Sequence, residues 1–557
     1  MISVCARLLT CVVLMALSSL PAIADPGDIL WTYDTGGAVF ASPALRPDGT
    51  LYIGSNDSKF YALTPGATQA ALKWSYDAGD WIDSSAALGP DGTVYVATYD
   101  SKLLALNPDT GSLDWELSVG ETGGEFGVIQ SSPAILSNGA IVFTTLAGFT
   151  HCVSSSGEEL WIYEMGADSR SSVAVDMQGR LYFGADDGLV YCLNDQGEEQ
   201  WTYAVDGAGE EASRIYSSPA IDANGHIYIG SGNGNLYSLT SDGSLRWKFT
   251  TSESVDVSPV IDAENQIYFA SRNGIAYCLN ASGAEIWSLF LGDVFYSSPI
   301  LDTLGNAYYT YFGGQNRTFV VCIATGGHDI WQTQIDSVID SSLTLSIDGV
   351  LYVGAFDGKV YAIEASSRPF GASYPWGKFR SDLRGRGRIL EGALPNVTEP
   401  VLPILAGVGV SAELQVLVNG QSYSYVWRKD SVVIPSVNAP SISFANVEEE
   451  DVALYDVIVS NDRGEQLLAE TFVALVESPR VVLNNDETSS FQLIFTHPAN
   501  ASWSFSVEQS SDARSWTQVG VDMDLIGENS TQTSQCLQAS VPAINKAGFL
   551  RLNGLKQ

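Results

Sequence analysis

Eight tryptophans, at positions Trp31, Trp74, Trp115, Trp161, Trp201, Trp247, Trp287 and Trp331, are separated by 40 to 46 residues. A self-similar period of this length marks one supersecondary unit that buries its apolar faces only against copies of itself. Within the period, a Ser-Ser-Pro-like strand (Ser131-Ser132-Pro133, Ser217-Ser218-Pro219, Ser297-Ser298-Pro299) runs into a Gly-containing turn such as Ala223-Asn224-Gly225. A second strand, Leu51 to Gly54 or Ile227 to Gly230, then meets Asp187-Gly188, Asn233-Gly234, Asn273-Gly274 or Asp357-Gly358. Such pairs accept positive φ and close tight hairpins. A third strand, Phe60 to Leu63 or Val190 to Leu193, leads through another Gly turn to the Trp strand. Four antiparallel strands per unit is the consistent count, and the fold class is all-β.

The Ser-Ser unit occurs eight times, and the last, Ser341 to Gly354, has no Trp strand after it, whereas Trp31 precedes the first. The expected architecture is an eight-bladed β-propeller in which the N-terminal strand completes blade 8 and removes an exposed sheet edge. Seven blades is the alternative, should one degenerate unit be a linker. No segment sustains a 3.6-residue apolar period, so no helix longer than about three turns is expected.

Residues 1–24 carry one basic residue, Arg7, an apolar run from Leu8 to Leu20, and Ala22-Ile23-Ala24, a small-x-small cleavage pattern. They read as a signal peptide, and no later run is long enough to span a membrane. A secreted, periplasmic or cell-surface protein without a membrane span follows. The mature chain has 26 basic and 64 acidic residues, a formal charge of −38, which disfavours nucleic acid and anionic membranes as partners. Cys152, Cys192, Cys278 and Cys322 recur at one repeat position and read as small apolar strand residues, with a metal cluster as the sharper alternative.

These features resemble the pyrroloquinoline-quinone-like propeller family over residues 25–390. Ala105-Leu106-Asn107-Pro108-Asp109-Thr110-Gly111-Ser112-Leu113-Asp114-Trp115 matches its tryptophan docking motif, with Asn107 where Asp is usual. The resemblance implies that Gly111 and the eight tryptophans are structural and tie neighbouring blades together. Dehydrogenases of the family clamp a quinone with aromatic and basic groups, hold Ca²⁺ with carboxylates and amides, and often have adjacent cysteines. This chain has no Cys-Cys pair, no Cys-x-x-Cys-His, and little insertion beyond bare blades. It is more similar to the cofactor-free members resembling the lipoprotein scaffold of outer-membrane assembly. The functional expectation is a non-catalytic, monomeric binding protein for a protein or polysaccharide, with no cofactor. A quinone- and calcium-dependent alcohol or sugar dehydrogenase is the alternative. His151, His226, His328 and His497 are scattered, and neither His-Glu-x-x-His nor Gly-x-Ser-x-Gly occurs.

The connections from each Trp strand to the next Ser-Ser strand gather at one mouth of a propeller channel, and here they are acidic. They hold Asp77, Asp80, Asp83, Glu121, Glu125, Asp168, Asp206, Glu210, Glu211, Glu253, Asp256, Asp293, Asp336 and Asp340. Aromatics sit among them at Trp81, Phe126, Tyr216, Phe295 and Tyr296. A funnel of this kind can take a cationic segment or a polyol; the bland reading is an acidic surface like the rest of the chain.

After the propeller come a basic cluster, Lys378, Arg380, Arg384, Arg386 and Arg388, and a proline-marked linker. Residues 391–477 resemble an immunoglobulin-like β-sandwich, with Trp427 as the core Trp and a tyrosine corner at Tyr455; Val457 stands where a disulfide Cys is frequent. Residues 478–557 read as a second β-sandwich.

Overall fold

The computed structural model describes residues 24–46, 48–120, 127–293, 295–302, 304–346 and 348–365 in full; beyond these it describes tail strands from Asn396 onward, with side chains only in parts of 412–459. The signal-peptide reading (all but Ala24), Glu121, Glu125, Phe126 and the basic cluster lie outside the described residues. The chain divides near residue 390 into two compact units.

In the first unit eight four-stranded antiparallel sheets follow one another in sequence. Blades 1 to 7 are each continuous: blade 1, for example, is Ala44–Leu45, Leu51–Gly54, Lys59–Pro65 and Ala70–Asp77. Blade 8 takes three strands from Thr344–Leu345, Val350–Gly354 and Lys359–Glu364 and its outer strand from Ile29–Asp34. Trp31 pairs with Ala362 and Asp34 with Lys359, so the first and last strands of the ring share one sheet. Eight blades and the N-terminal closure are thereby established, and among the described residues of the first unit the sole helical element is the 3-10 turn Glu211–Ser213.

The burial pattern explains the sequence pattern. Inner strands are sandwiched between two neighbouring blades and are buried on both faces, as in Leu181–Gly184 or Ile227–Gly230, so they read as continuous apolar runs. Outer strands such as Glu199–Ala204 alternate between exposed and half-buried residues, because their outward face meets water. The cores therefore lie between blades: one cluster joins Tyr52, Phe60 and Trp74 of blade 1 to Val94, Val96 and Leu104 of blade 2.

Each docking tryptophan reaches forward into the next blade. The Trp74 indole N–H donates to the Pro108 carbonyl at 3.0 Å, Trp115 to Ser155 at 2.9 Å, Trp161 to Asp195 at 2.9 Å, and Trp201 to Ser241 at 3.1 Å. In seven of the eight, Trp31 excepted, the ring covers a glycine of positive φ: a Cβ on Gly111 (φ +71°) would stand 2.5 Å from the Trp74 ring. Gly111 and Trp115, four residues apart, thus serve different junctions, Gly111 receiving Trp74 and Trp115 covering Gly157. Asn107 does the work of the usual Asp, its Oδ1 accepting the N–H of Asp109 and of Thr110, both at 3.0 Å.

A second device closes the ring from inside. The backbone N–H of Ser42 donates to Ser85 Oγ, and the same bond repeats from Ser85 to Ser132, Ser172, Ser218, Ser258, Ser298 and Ser342, at 2.9–3.1 Å. Ser342 completes the circuit to Ser42 at 2.9 Å. The serines at the entrance of the innermost strands are therefore a closed belt of eight buried hydrogen bonds. The four repeat cysteines are buried opposite their own blade's tryptophan, Cys152 to Trp161 and Cys192 to Trp201 for instance. Burial pushes the thiols of Cys152, Cys192 and Cys278 up to about 12, as expected of small apolar strand residues.

The second unit is also β. Trp427 is buried opposite Val457, and the Tyr455 hydroxyl donates to the Asp451 carbonyl at 3.3 Å, the contact of a tyrosine corner. The strand Gln466–Leu483 runs through the 477/478 position, and its sheet takes in strands from both sides of it.

Candidate functional site

The belt serines define the channel mouth. Two residues before each of them stands a side chain that is at least partly accessible, and around the ring these are Phe40, Asp83, Gln130, Arg170, Tyr216, Asp256, Tyr296 and Asp340. The residue before that position points inward: Phe295, counted above among the mouth aromatics, is 1% exposed and belongs to the core with Tyr309 and Tyr311, because extended chain sends successive side chains to opposite faces. The hairpin turns between second and third strands approach the same mouth. The Asn56 N–H donates to the Ala38 carbonyl at 2.8 Å, Tyr99 to Trp81 at 2.8 Å, Asp186 to Asp168 at 2.8 Å, Arg272 to Ser254 at 2.9 Å, and Phe356 to Val338 at 2.9 Å.

The acidic residues of the connections separate into two groups. Asp83, Asp256 and Asp340 stand two places before the belt serines and are only partly accessible. Asp77, at the end of its strand, and Asp168, Asp206, Glu210, Glu211, Glu253, Asp293 and Asp336 are exposed, and Asp80 is half-buried. Several are spent locally: Asp77 Oδ1 accepts the Gly79 N–H at 3.1 Å, Asp80 Oδ1 the Trp81 N–H at 2.8 Å, Asp336 Oδ1 the Gln334 amide at 2.6 Å, and Asp206 pairs with Lys248 on an outer strand.

Sequence reasoning missed three arginines at this mouth. Arg170 pairs with Asp186 at 2.5 Å and lies over the Tyr216 ring, 5.2 Å from its centroid; Arg214 reaches Asp186 at 3.8 Å. Arg272 pairs with Asp256 at 2.6 Å and lies 5.7 Å from the Tyr296 centroid. Aligning the repeats on the serine two places later would have exposed Arg170, and aligning the hairpin turns would have exposed Arg272 and Asp186. The mouth is therefore not uniformly acidic: from blade 4 to blade 7 Asp186 and Asp256 are paired with arginines that lie over tyrosines.

From blade 8 to blade 2 the balance differs. Phe40 and Phe356 pack with centroids 4.5 Å apart, and Trp81 lies 5.7 Å from Tyr99. Burial, opposed by an Asn56 hydrogen bond and reinforced by Asp80, raises the Asp83 carboxyl above its ordinary range. Burial first, then the Asp83 charge, pushes Asp340 up to about 6, with Arg272 opposing. Asn56 Oδ1 and Asp83 Oδ1 are buried without a hydrogen-bond donor.

Elsewhere, a cleft of about 210 Å³ lies between blades 4 and 5 at their first turns, lined by Asp176, Gln178, Arg180, Asp222 and Asn224. Its groups are engaged in the fold: Asp222 accepts from His226 at 2.8 Å and from the Tyr228 hydroxyl at 3.0 Å. Among the described residues no three His, Cys, Asp or Glu side chains converge on a cation position, and no helix is long and apolar enough to cross a membrane.

Comparison with known proteins agrees with this geometry. BamB from Moraxella catarrhalis superposes with TM-score 0.50 at 17% identity, over 61% of this chain and 100% of that one. Sqt1 from Saccharomyces cerevisiae gives TM-score 0.53 at 14% identity, over 61% and 100%. A europium-containing methanol dehydrogenase gives TM-score 0.50 at 13% identity, over 59% and 86%. These likenesses share a fold, and no curated protein matches the chain in sequence. The family model described as outer membrane protein assembly factor BamB matches residues 19–153 and 147–367, which takes in every blade, and with the ring, its docking tryptophans and its closure in view, this is the family to which the chain belongs.

Proposed function

We propose that the protein is an exported, non-catalytic binding propeller whose partner, a protein, docks on the channel mouth, with the tail modules as spacer or attachment. The observation that carries this reading is the contrast between neighbouring repeat positions. The belt position is Ser in all eight blades, whereas the position two places earlier holds Phe40, Asp83, Gln130, Arg170, Tyr216, Asp256, Tyr296 and Asp340. A closed ring needs the first to be uniform and leaves the second free, and rigid scaffolds carry their binding groups at such free positions. Aromatics and arginines are also the side chains that anchor protein interfaces.

The alternative, a quinone- and calcium-dependent dehydrogenase, is the less well supported. It needs several carboxylate and amide ligands on one cation and free basic groups for the quinone. The described residues supply no such convergent set, and Arg170, Arg214 and Arg272 are already paired with Asp186 and Asp256. Pyrroloquinoline quinone with Ca²⁺ is therefore expected to leave the melting temperature unchanged and to produce no dye-linked oxidation of alcohols or sugars. A clear rise in melting temperature, as a ligand specific for the native state must give, together with such oxidation, would establish the alternative.

A further inference from the structure

Seven blades make the turn before their outer strand from continuous chain, as Asn107 to Gly111 does before Leu113–Ser118. In blade 8 the chain is broken there: the third strand ends at Glu364 and the outer strand begins at Ile29. Asp25-Pro26-Gly27-Asp28 supplies the docking turn instead. The Asp28 N–H donates to the Asp25 carbonyl at 2.9 Å and Gly27 has φ +96°, so the corners hold the Pro and the left-handed Gly that a type II turn demands. Trp331 lies over Gly27, where a Cβ would stand 3.1 Å from its ring, and the Thr333 hydroxyl donates to the Gly27 carbonyl. The turn is stitched to the third strand of its own blade: Gly27 N–H donates to the Glu364 carbonyl at 2.8 Å, and Glu364 N–H to the Asp28 carbonyl at 2.9 Å. A last bond ends the segment, from the Asp25 nitrogen to Asp28 Oδ2 at 2.9 Å.

That nitrogen belongs to the peptide bond at which residues 1–24, read as a signal peptide, would be cut. The charges around it are one-sided. The bonds of the turn bring Asp28 against Glu364, and like charges on neighbouring strands oppose their pairing. Among the described residues neither carboxylate has a Lys, Arg or His partner, and the lysine of the same strand, Lys359, pairs with Asp357. Burial, and then the Asp28 charge, raise the Glu364 carboxyl above its ordinary range. We infer that leader removal turns the Asp25 nitrogen into the clasp of the ring, an α-ammonium that pairs with Asp28 and relieves its repulsion with Glu364 at the seam of the first and last strands. In the hydrolysis of the Ala24–Asp25 bond by a leader peptidase, the oxygen of water ends on the Ala24 carboxylate and both of its hydrogens, in net, on the Asp25 nitrogen. A neutral amide donor becomes a charged one with its acceptor already in reach, and charge-assisted bonds are the stronger kind. The inference rests on the reading of residues 1–24 as a leader and is independent of what docks on the mouth.

Mass spectrometry of the exported chain should give Asp25 as its first residue. Thermal unfolding of the propeller is then compared between the chain 25–557 and the same chain with Gly-Ser ahead of Asp25, in which that nitrogen is again an amide. At pH 6.5 the mature N-terminus should melt roughly 1–2 °C higher, the size expected of one exposed ion pair in a domain this large. Asp28→Asn keeps a side-chain acceptor and removes the charge. It should lower the melting temperature of the mature chain and raise that of the extended chain, where only the repulsion with Glu364 is lost. The groups facing the amine are the Asp25 and Asp28 carboxylates and, across the seam, Glu364; the blade 7 strand on the turn brings Trp331 and Thr333, which carry no charge. The ammonium holds its proton more tightly folded than unfolded, so the advantage is complete below about pH 7 and fades as the pH rises through its titration above about 8. By about pH 10.5 the two chains should melt together. With Asp25 confirmed as the first residue, an Asp28→Asn shift of the same sign in both chains, or an advantage that persists at the alkaline end, would overturn the clasp. A different first residue would overturn it by removing the leader reading on which it stands.

Discussion

Trp74 and Trp287 are a matched pair that isolates the energetic role of the docking hydrogen bond. Both are 8% exposed, and each covers a left-handed glycine of the next blade, Gly111 and Gly327 respectively. They differ in the indole nitrogen: Trp74 donates to the Pro108 carbonyl at 3.0 Å, whereas the Trp287 nitrogen is buried with no acceptor. Replacing either by Phe removes similar apolar surface, about 1 kcal/mol. Trp74→Phe also loses one hydrogen bond, about 1 kcal/mol net, since Pro108 keeps the Tyr52 hydroxyl at 3.0 Å. Trp287→Phe instead removes an unsatisfied buried donor whose desolvation costs roughly 1–3 kcal/mol. Trp74→Phe should thus destabilise the propeller by about 2 kcal/mol, and Trp287→Phe should be near neutral or stabilising. Urea unfolding followed by circular dichroism, which does not depend on the tryptophan removed, measures both. Equal losses, or a larger loss at Trp287, would refute the view that docking specificity resides in the indole N–H, and would place it in ring packing alone.

Three further outcomes are expected. Asp340, raised to about 6 by burial and by Asp83, binds its proton more tightly folded than unfolded, so its ionisation above pH 6 costs stability and the cost vanishes below the ordinary carboxylate range near 3.8. Asp340→Asn should therefore stabilise the protein by about 2–3 kcal/mol at pH 7.5 and by almost nothing at pH 3.5, measured as the pH dependence of unfolding; a gain independent of pH would mean that the site does not raise this carboxyl. Ser58 (φ 69°) and Ser101 (φ 70°) occupy the turn position that is Gly188 or Gly234 in other blades, so Ser58→Gly and Ser101→Gly should each raise stability by up to about 1 kcal/mol in thermal unfolding, and a decrease would count against strain there. Ser258→Ala removes the acceptor of the Ser218 N–H at 2.9 Å and leaves a buried donor unmade, so a loss of roughly 1–3 kcal/mol is expected in the same assay, and a neutral result would show that the belt is dispensable.

What the sequence determined by itself is what each repeat writes locally. The Trp period, the Asp-Gly and Asn-Gly pairs that need positive φ, and the continuous apolar runs of the inner strands sufficed for four strands per blade, and the orphan Trp31 sufficed for closure through the N-terminal strand Ile29–Asp34. Such signals are legible because turn geometry and strand burial act over a few residues. The contacts between blades were not, because they join positions some 40 residues apart: that Gly111 receives Trp74 rather than the Trp115 beside it, and that eight serines donate to one another around a closed belt. The candidate site shows the same division. Composition announced carboxylates in the connecting loops, but only the ring decided that Asp83, Asp256 and Asp340 are partly buried while Asp206 is exposed and pairs with Lys248 on an outer strand. It also decided that Arg170 pairs with Asp186 and Arg272 with Asp256. The reason is that charge compensation and desolvation depend on which side chains converge in space, and in a propeller that convergence is set by ring closure rather than by neighbours along the chain.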